Sequence, residues 1–324
     1  MLTIKNFNAT DYEFIEIARI DNLVNHDSIS HPDNDKNDWR IRDRSLVRDR
    51  LLLYKDEKLI GVLFYSQGRE QNHRTTFFTI HLDPKYNFNG YRKLLYDNML
   101  QKIIQYNSNK LLTNVYDHPN YVQNLKLLKS ESFQLVQTNR EYVCNIQNVN
   151  TKKYYPLIEK LRQDGINFYD SKEEMLDFNN HYEKLEKLEW EIDQDVPIPD
   201  GIKHTRMPFE QWKKVCIDFY ENSYGVDIVA VKNGKYIGST CLSIYPKSDP
   251  YKAWTESLGV IRNYRRRGLA TALKILAIEK LLNKGVKEIR TDNEENNPMY
   301  KINESLGFKA VPFSMDYMKV LKND

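Results

Sequence analysis

One internal duplication limits what this chain can fold into. Lys55-Asp56-Glu57-Lys58-Leu59-Ile60-Gly61-Val62 returns 177 residues later as Lys232-Asn233-Gly234-Lys235-Tyr236-Ile237-Gly238-Ser239. Each is a polar turn followed by an apolar strand that opens on Ile-Gly. Asn233-Gly234 suits a tight hairpin because both residues tolerate positive φ. Gly90 and Gly268, 178 residues apart, each stand at a strand-to-helix junction. Ser132-Phe133 and Gly307-Phe308, 175 residues apart, each close a helix before a strand. Three landmarks in one order, at nearly one offset, predict two copies of one domain. The expected division is 1–150 and 151–324, with a hinge over 147–160, and 324 residues suit two domains.

Hydrophobic periodicity fills in both copies. In the first we expect a strand at 2–7, helices at 11–24 and 40–52, and a hairpin of 51–55 with 58–66. A strand at 76–83, helix at 91–106, strand at 110–116, helix at 120–130 and strand at 133–146 follow. In the second, a strand at 165–168 precedes a helix over 171–190, with Met175, Phe178, Tyr182, Leu185 and Leu188 on one face. Pro197, Pro199 and Gly201 force a loop. Then come a helix at 208–221, a hairpin of 226–232 with 236–245, and a strand at 253–261. Elements at 268–283, 287–292, 298–306 and 308–319 alternate helix and strand. The fold class is α/β (α+β), each copy a mixed, mostly antiparallel sheet flanked by helices.

Composition narrows the functions. Lysine and arginine total 48 against 45 acidic residues, a net charge of +3 that does not suit a nucleic-acid binder. No apolar run approaches the roughly 20 residues of a membrane span. Met1-Leu2-Thr3-Ile4-Lys5-Asn6-Phe7 alternates like a strand and not like a signal peptide. Three distant cysteines, Cys144, Cys216 and Cys241, make neither a disulfide framework nor a four-cysteine zinc site. A reduced, cytoplasmic protein without nucleic-acid or membrane partners is the expectation.

The chemistry-bearing segment is Leu258-Gly259-Val260-Ile261-Arg262-Asn263-Tyr264-Arg265-Arg266-Arg267-Gly268-Leu269-Ala270-Thr271. A strand ends, a basic turn follows, and a long helix starts on small residues. The first turn of a helix presents unpaired N–H groups and positive potential, which suits phosphate. The alternative reading is a plain basic helix cap. Neither the Gly-x4-Gly-Lys-Ser/Thr nucleotide loop nor the Gly-x-Gly-x2-Gly fingerprint is present.

Arg265-x-x-Gly268-x-Ala270 resembles the Gln/Arg-x-x-Gly-x-Gly/Ala turn of the GNAT acetyltransferase superfamily. The later run Asn296-Asn297-Pro298-Met299-Tyr300-Lys301-Ile302-Asn303, ending in Leu306-Gly307-Phe308, is similar to that family's Asn-x2-Ala-x2-Leu/Phe-Tyr-x3-Gly-Phe. Asp195-Val196-Pro197 and Gly268 to Lys274 look like the tandem-domain branch typified by mycothiol synthase. The resemblance implies acetyl-CoA as co-substrate, an acetyl transfer to the amine of a small molecule or peptide, and a monomer or homodimer. It implies that Leu258 and Val260 flank the pantetheine arm and that Arg265, Arg266, Arg267, Gly268, Leu269, Ala270 and Thr271 hold the pyrophosphate. Asn296 and Asn303 complete the cofactor-binding set. No metal is expected.

Two departures qualify the catalytic set. The position of the family's acidic tyrosine is Asn303, and an amide donates no proton outright. Tyr300 shares a helix face with it at i, i+3, either as the substitute acid or as a packing aromatic. Glu256, in the preceding strand, is either the general base or a solvent-facing side chain. The alternative function is a non-catalytic acyl-CoA-binding module. In the first copy the turn is Asn87-Phe88-Asn89-Gly90-Tyr91-Arg92, where Arg92 replaces the small residue. It either blocks the cofactor or holds a phosphate. His26, Asp27, His31 and Asp33 read as a solvated loop with loose metal-like spacing, and Cys216 and Cys241 as core fillers.

Overall fold

The computed structural model describes all residues except 26, 176, 177, 179, 223, 224, 296, 298 and 322–324. The chain forms two compact units. Unit 1 takes 1–139, 198–205 and 312–324, and unit 2 takes 140–197 and 206–311, so neither is continuous in sequence.

The elements run β1 (Leu2–Asn6), α1 (Asp11–Val24), α2 (Pro32–Ile41), β2 (Arg48–Lys55), β3 (Lys58–Gln67), β4 (Thr75–Leu82), α3 (Asn89–Ile103), β5 (Lys110–Tyr116) and α4 (Val122–Ser130). They continue with β6 (Gln134–Asn145), α5 (Tyr155–Gln163), β7 (Ile166–Asp170), α6 (Ser171–Glu174), α7 (His181–Asp193) and α8 (Phe209–Asn222). Last come β8 (Val226–Lys232), β9 (Lys235–Tyr245), β10 (Asp249–Val260), α9 (Leu269–Asn283), β11 (Glu288–Glu294), α10 (Tyr300–Ser305) and β12 (Lys309–Val320).

In unit 1 the strands lie in the order β1-β2-β3-β4-β5-β12, and in unit 2 in the order β6-β11-β10-β9-β8-β7. Most pairs are antiparallel, but β4 with β5 and β10 with β11 are parallel. Helices cover both faces of each sheet. In unit 1, Phe78 meets Tyr96 of α3 at 5.9 Å between centroids, while His81, which faces the other way along the same strand, bonds Asp21 of α1 at 2.7 Å. In unit 2 the neighbours Gly259 and Val260 part in the same manner. A Cβ at Gly259 would come within 2.1 Å of Ile192 on α7, while Val260 lies with Leu273 of α9 beside Gly238. Each unit has its own core of buried aliphatic and aromatic residues.

Three expectations are corrected. The helix read over 40–52 is instead the end of α2 and strand β2, in which Leu51, Leu52 and Leu53 are fully buried. A strand buried on both faces is a continuous apolar run, which periodicity does not separate from a helix. The helix read over 171–190 is two helices: Asp170 caps α6, and Asn180, at φ +56°, starts α7 afresh. The expected hinge over 147–160 includes α5, which opens with Pro156 in its first turn.

Candidate functional site

The site is built on β10. Residues Thr255 and Ser257 pair with the consecutive Leu242 and Cys241 of β9, so Glu256 is the extra residue of a β-bulge. The bulge turns its exposed carboxylate onto the sheet face, where Ser243 Oγ donates to it. On its other edge β10 pairs with β11 only from Lys252 to Trp254, against Glu288 to Arg290. Both strands run on for several residues, so they splay. The edge of β10 around Leu258 and Val260 is thereby left open on the β11 side. Leu258 is half-buried and Val260 buried.

From Val260 the chain enters the basic turn. Arg265 bends back: its Nε donates to the Val260 carbonyl at 2.7 Å, and its guanidinium pairs with Asp195. Arg262 pairs with the same carboxylate. The two guanidiniums, Arg262 first, hold the Asp195 carboxyl down to about 2. Asp195 therefore braces the turn, and Arg265 is a strut of the loop. Arg266 and Arg267 remain exposed, with Arg267 over the Tyr264 ring at 5.4 Å.

Arg266 and Gly268 take φ of +61° and +81°, which turns the chain sharply into α9. A Cβ at Gly268 would lie 2.7 Å from Leu157 Cδ1. Glycine is thus required by the backbone and by packing beneath the turn, and the proximity of a ligand is not its only reason. Leu269 is buried, while Ala270 and Thr271 are half-buried at the helix mouth. The amides of these three residues have no acceptor within the helix.

Asn303 sits one turn into α10 and is only 3% exposed. Its Oδ1 accepts from the Lys274 ammonium and its Nδ2 donates to Asn293 Oδ1 at 2.7 Å. Lys274 is itself buried, 4.2 Å from the centre of the Phe308 ring, and burial lowers it to about 7. Tyr300 is half-buried and packs against the unit 2 core. Asn296 lies outside the described residues.

A buried polar network on the α7 face of the sheet escaped the sequence reading. Tyr236 OH meets His181 Nδ1 at 3.0 Å, His181 Nε2 meets Ser171 Oγ at 3.1 Å, and Ser171 Oγ meets Tyr220 OH at 2.7 Å. Tyr220 OH then donates to Asp227 Oδ2 at 2.7 Å, and among the described residues Asp227 Oδ1 has no partner. Burial raises Asp227 to about 6. Burial and then Asp227 raise Glu189 to about 8, although Trp212 Nε1 donates to it at 2.7 Å. Cys216 packs against the unit 2 core, as expected of a filler, and both Cys216 and Cys241 are half-buried; burial followed by these carboxyls pushes both thiols up. The residues stand on α6, α7, α8, β8 and β9, so no local spacing announces them.

The matching place in unit 1 is filled by the chain itself. Here β4 and β5 pair only from Thr75 to Phe77 and then splay. Asn124 of α4 donates to the Ile80 carbonyl at 2.9 Å, and Arg92, 2% exposed, donates Nε to Asn124 Oδ1 at 2.8 Å. Among the described residues the Arg92 Nη1 has no acceptor, and burial lowers the group to about 10. Phe88 lies over Gly90, its ring 2.5 Å from where a Cβ would be. The His31 ring accepts from the Asp33 amide at 3.2 Å and caps α2, while His26 lies outside the described residues. Among the described residues no group of three or more His, Cys, Asp and Glu is placed to hold a metal, and no helix is long and apolar enough to cross a membrane.

Residues 182–308 match the acetyltransferase (GNAT) family. No curated protein matches the chain. Among solved structures it is similar to a tandem GNAT protein from the clavulanic acid biosynthesis pathway, at 14% identity and TM-score 0.78, covering 100% of both chains. An N-acetyltransferase of the same family from Sphaerobacter thermophilus aligns at 14% identity and TM-score 0.68, over 99% of this chain and 96% of that one. A glucosamine N-acetyltransferase region in a fungal multidomain β-N-acetylglucosaminidase aligns at 13% identity and TM-score 0.71, over 98% of this chain and 38% of that one. The splayed strands, the bulge and the turn into α9 thus sit within the segment that matches the acetyltransferase (GNAT) family, and the chain has the fold of a tandem GNAT protein.

Proposed function

We propose that unit 2 is an acyl-CoA-dependent N-acyltransferase, which moves an acetyl group from acetyl-CoA to the amine of a small molecule or peptide held in the same complex. The observation that carries this is the splay of β10 from β11 at Trp254, with the bulged Glu256 beside it and the amide-rich turn at its end. The residues fit the cofactor. An open strand edge suits the amides of a pantetheine arm, and the amides from Arg266 to Thr271 with the exposed Arg266 and Arg267 suit a pyrophosphate. Arg265 contributes indirectly, by bracing the turn.

When bound, acyl-CoA supplies an acyl group activated as a thioester. The chain supplies placement and proton transfer. Glu256, exposed and held by Ser243, takes the proton of the acceptor's ammonium so that a neutral amine attacks. Tyr300 supplies a proton to the departing thiolate, a role Asn303 does not fill because its amide is committed to Lys274 and Asn293. Holding both reactants in one site supplies much of the rate.

The commitment of Asn303 also favours a second reading, an acyl-CoA-binding module without turnover. Calorimetry with coenzyme A, followed by thiol release from acetyl-CoA across a panel of amines, separates the two. Binding with turnover supports the transferase. Binding without release for any amine supports the module, and absence of binding defeats both.

A further inference from the structure

Unit 1 holds a cavity that the acyl-transfer reading leaves unused. It encloses about 680 Å3 on the sheet face opposite α3, within the range of roughly 300–1,000 Å3 typical of small-molecule sites. Its floor is set by strand register. Arg48, Ser66, Phe77 and Leu112 line up across β2, β3, β4 and β5, beside the pair of Arg50 and Phe64. Segment 42–48 forms one rim.

Charge is uneven along that rim. Four arginines line the cavity. Arg50 is buried and spent on Asp35, with Nη1 2.6 Å from Oδ2, and Arg69 is spent on Asp43. Among the described residues Arg42 and Arg48 have no carboxylate partner. Arg42 Cζ lies over the Trp39 ring, 3.6 Å from its centre, and its guanidinium also bonds the Trp39 carbonyl. Burial first, then Arg44, Arg48 and Arg50, lower its pKa, with Asp49 acting the other way.

The other lining acids are engaged or distant. Asp21 meets His81 at 2.7 Å, and Asp49 accepts from Tyr65 OH at 3.3 Å. Asp316 is held by Asn114 at 2.7 Å and Asn139 at 3.1 Å. It stands on β12, four strands from Arg48, or on the order of 19 Å at ~4.8 Å per strand. Two guanidiniums held near each other without sufficient counter-charge repel, and an anion relieves both. Arginine's planar fork suits phosphate and carboxylate oxygens, and stacking on Trp39 presets one fork.

We propose that this cavity is a binding site for a small organic anion, whose phosphate or carboxylate meets Arg42 and Arg48 and whose apolar body lies on Phe64, Phe77 and Leu112. The site is independent of the acyl-CoA reading of unit 2.

Titration calorimetry of the whole chain at low ionic strength tests it, with phenyl phosphate and benzoate as separate probes and phenol as the uncharged control. At least one anion binds, phenol does not, and added salt weakens the binding. The stronger probe tells phosphate from carboxylate chemistry. Arg48 is exposed and, among the described residues, its side chain makes no hydrogen bond or ion pair, so Arg48→Gln leaves folding intact and weakens binding about tenfold, or about 1.4 kcal/mol. Arg267→Gln, in the unit 2 turn, leaves it unchanged. The proposal is overturned if neither anion binds, if phenol binds as tightly, or if Arg48→Gln binds like the parent. It also fails if Arg267→Gln and not Arg48→Gln removes the binding.

Discussion

Lys274 carries its ammonium inside unit 2, on Asn303 and over the Phe308 ring. Its folded value of about 7 lies below the unfolded one, so between that value and the ordinary lysine range the unfolded chain binds the extra proton. Its contribution to stability is therefore present at high pH and lost as pH falls toward 7, by on the order of a few kcal/mol at most. Lys274→Met should flatten the rise in stability between neutral and alkaline pH, as read from urea midpoints at several pH values. An unchanged profile would mean that Lys274 stays charged in the fold. The catalytic side chains admit a different measurement. Tyr300→Phe should lower turnover by roughly 10²–10⁴-fold if the tyrosine is the acid, while the coenzyme A dissociation constant hardly moves. Full turnover across the pH range would remove it from the mechanism. Neither environment was visible in sequence. Tyr300 and Asn303 were placed by their spacing, but the lysine that occupies Asn303 comes from α9.

At the scale of elements, the turn into α9 has two halves with separable roles. Gly268 answers to the backbone: at φ +81° with Leu157 beneath it, Gly268→Ala should cost roughly 1–2 kcal/mol from the left-handed backbone alone. Arg266 is exposed and, among the described residues, its side chain makes no hydrogen bond or ion pair. Arg266→Glu should therefore weaken coenzyme A binding by at least tenfold, through like charge beside phosphate, at an unchanged melting temperature. If binding survives that substitution, the turn is a helix cap and nothing more. The hairpin on Asn233-Gly234 and helix α9 were legible because local turn chemistry and a long apolar run that starts on small residues after the basic turn dictate them. Strand β2 was not, since its central leucines are buried by β1, β3 and both covering layers, a context no short window contains.

At the scale of the whole molecule the duplication is unequal. Unit 1 keeps the splay of its strands but closes it with Asn124 and Arg92, while Phe88 lies over the start of α3. Titration with coenzyme A should accordingly give one site per chain, and two equal sites would show that Arg92 moves aside. The duplication, the turn around Gly268 and the family likeness were open to the sequence alone, because each rests on residues close along the chain. Spacing of a few residues encodes hairpins, helix mouths and strand alternation directly. The discontinuous units, with 198–205 and 312–324 in unit 1, were not. Nor were the chain of contacts from Tyr236 to Asp227, the brace of Asp195 on Arg265, or the unmatched arginines over the unit 1 cavity. Those depend on desolvation and on which distant strands meet, and only the tertiary structure decides both.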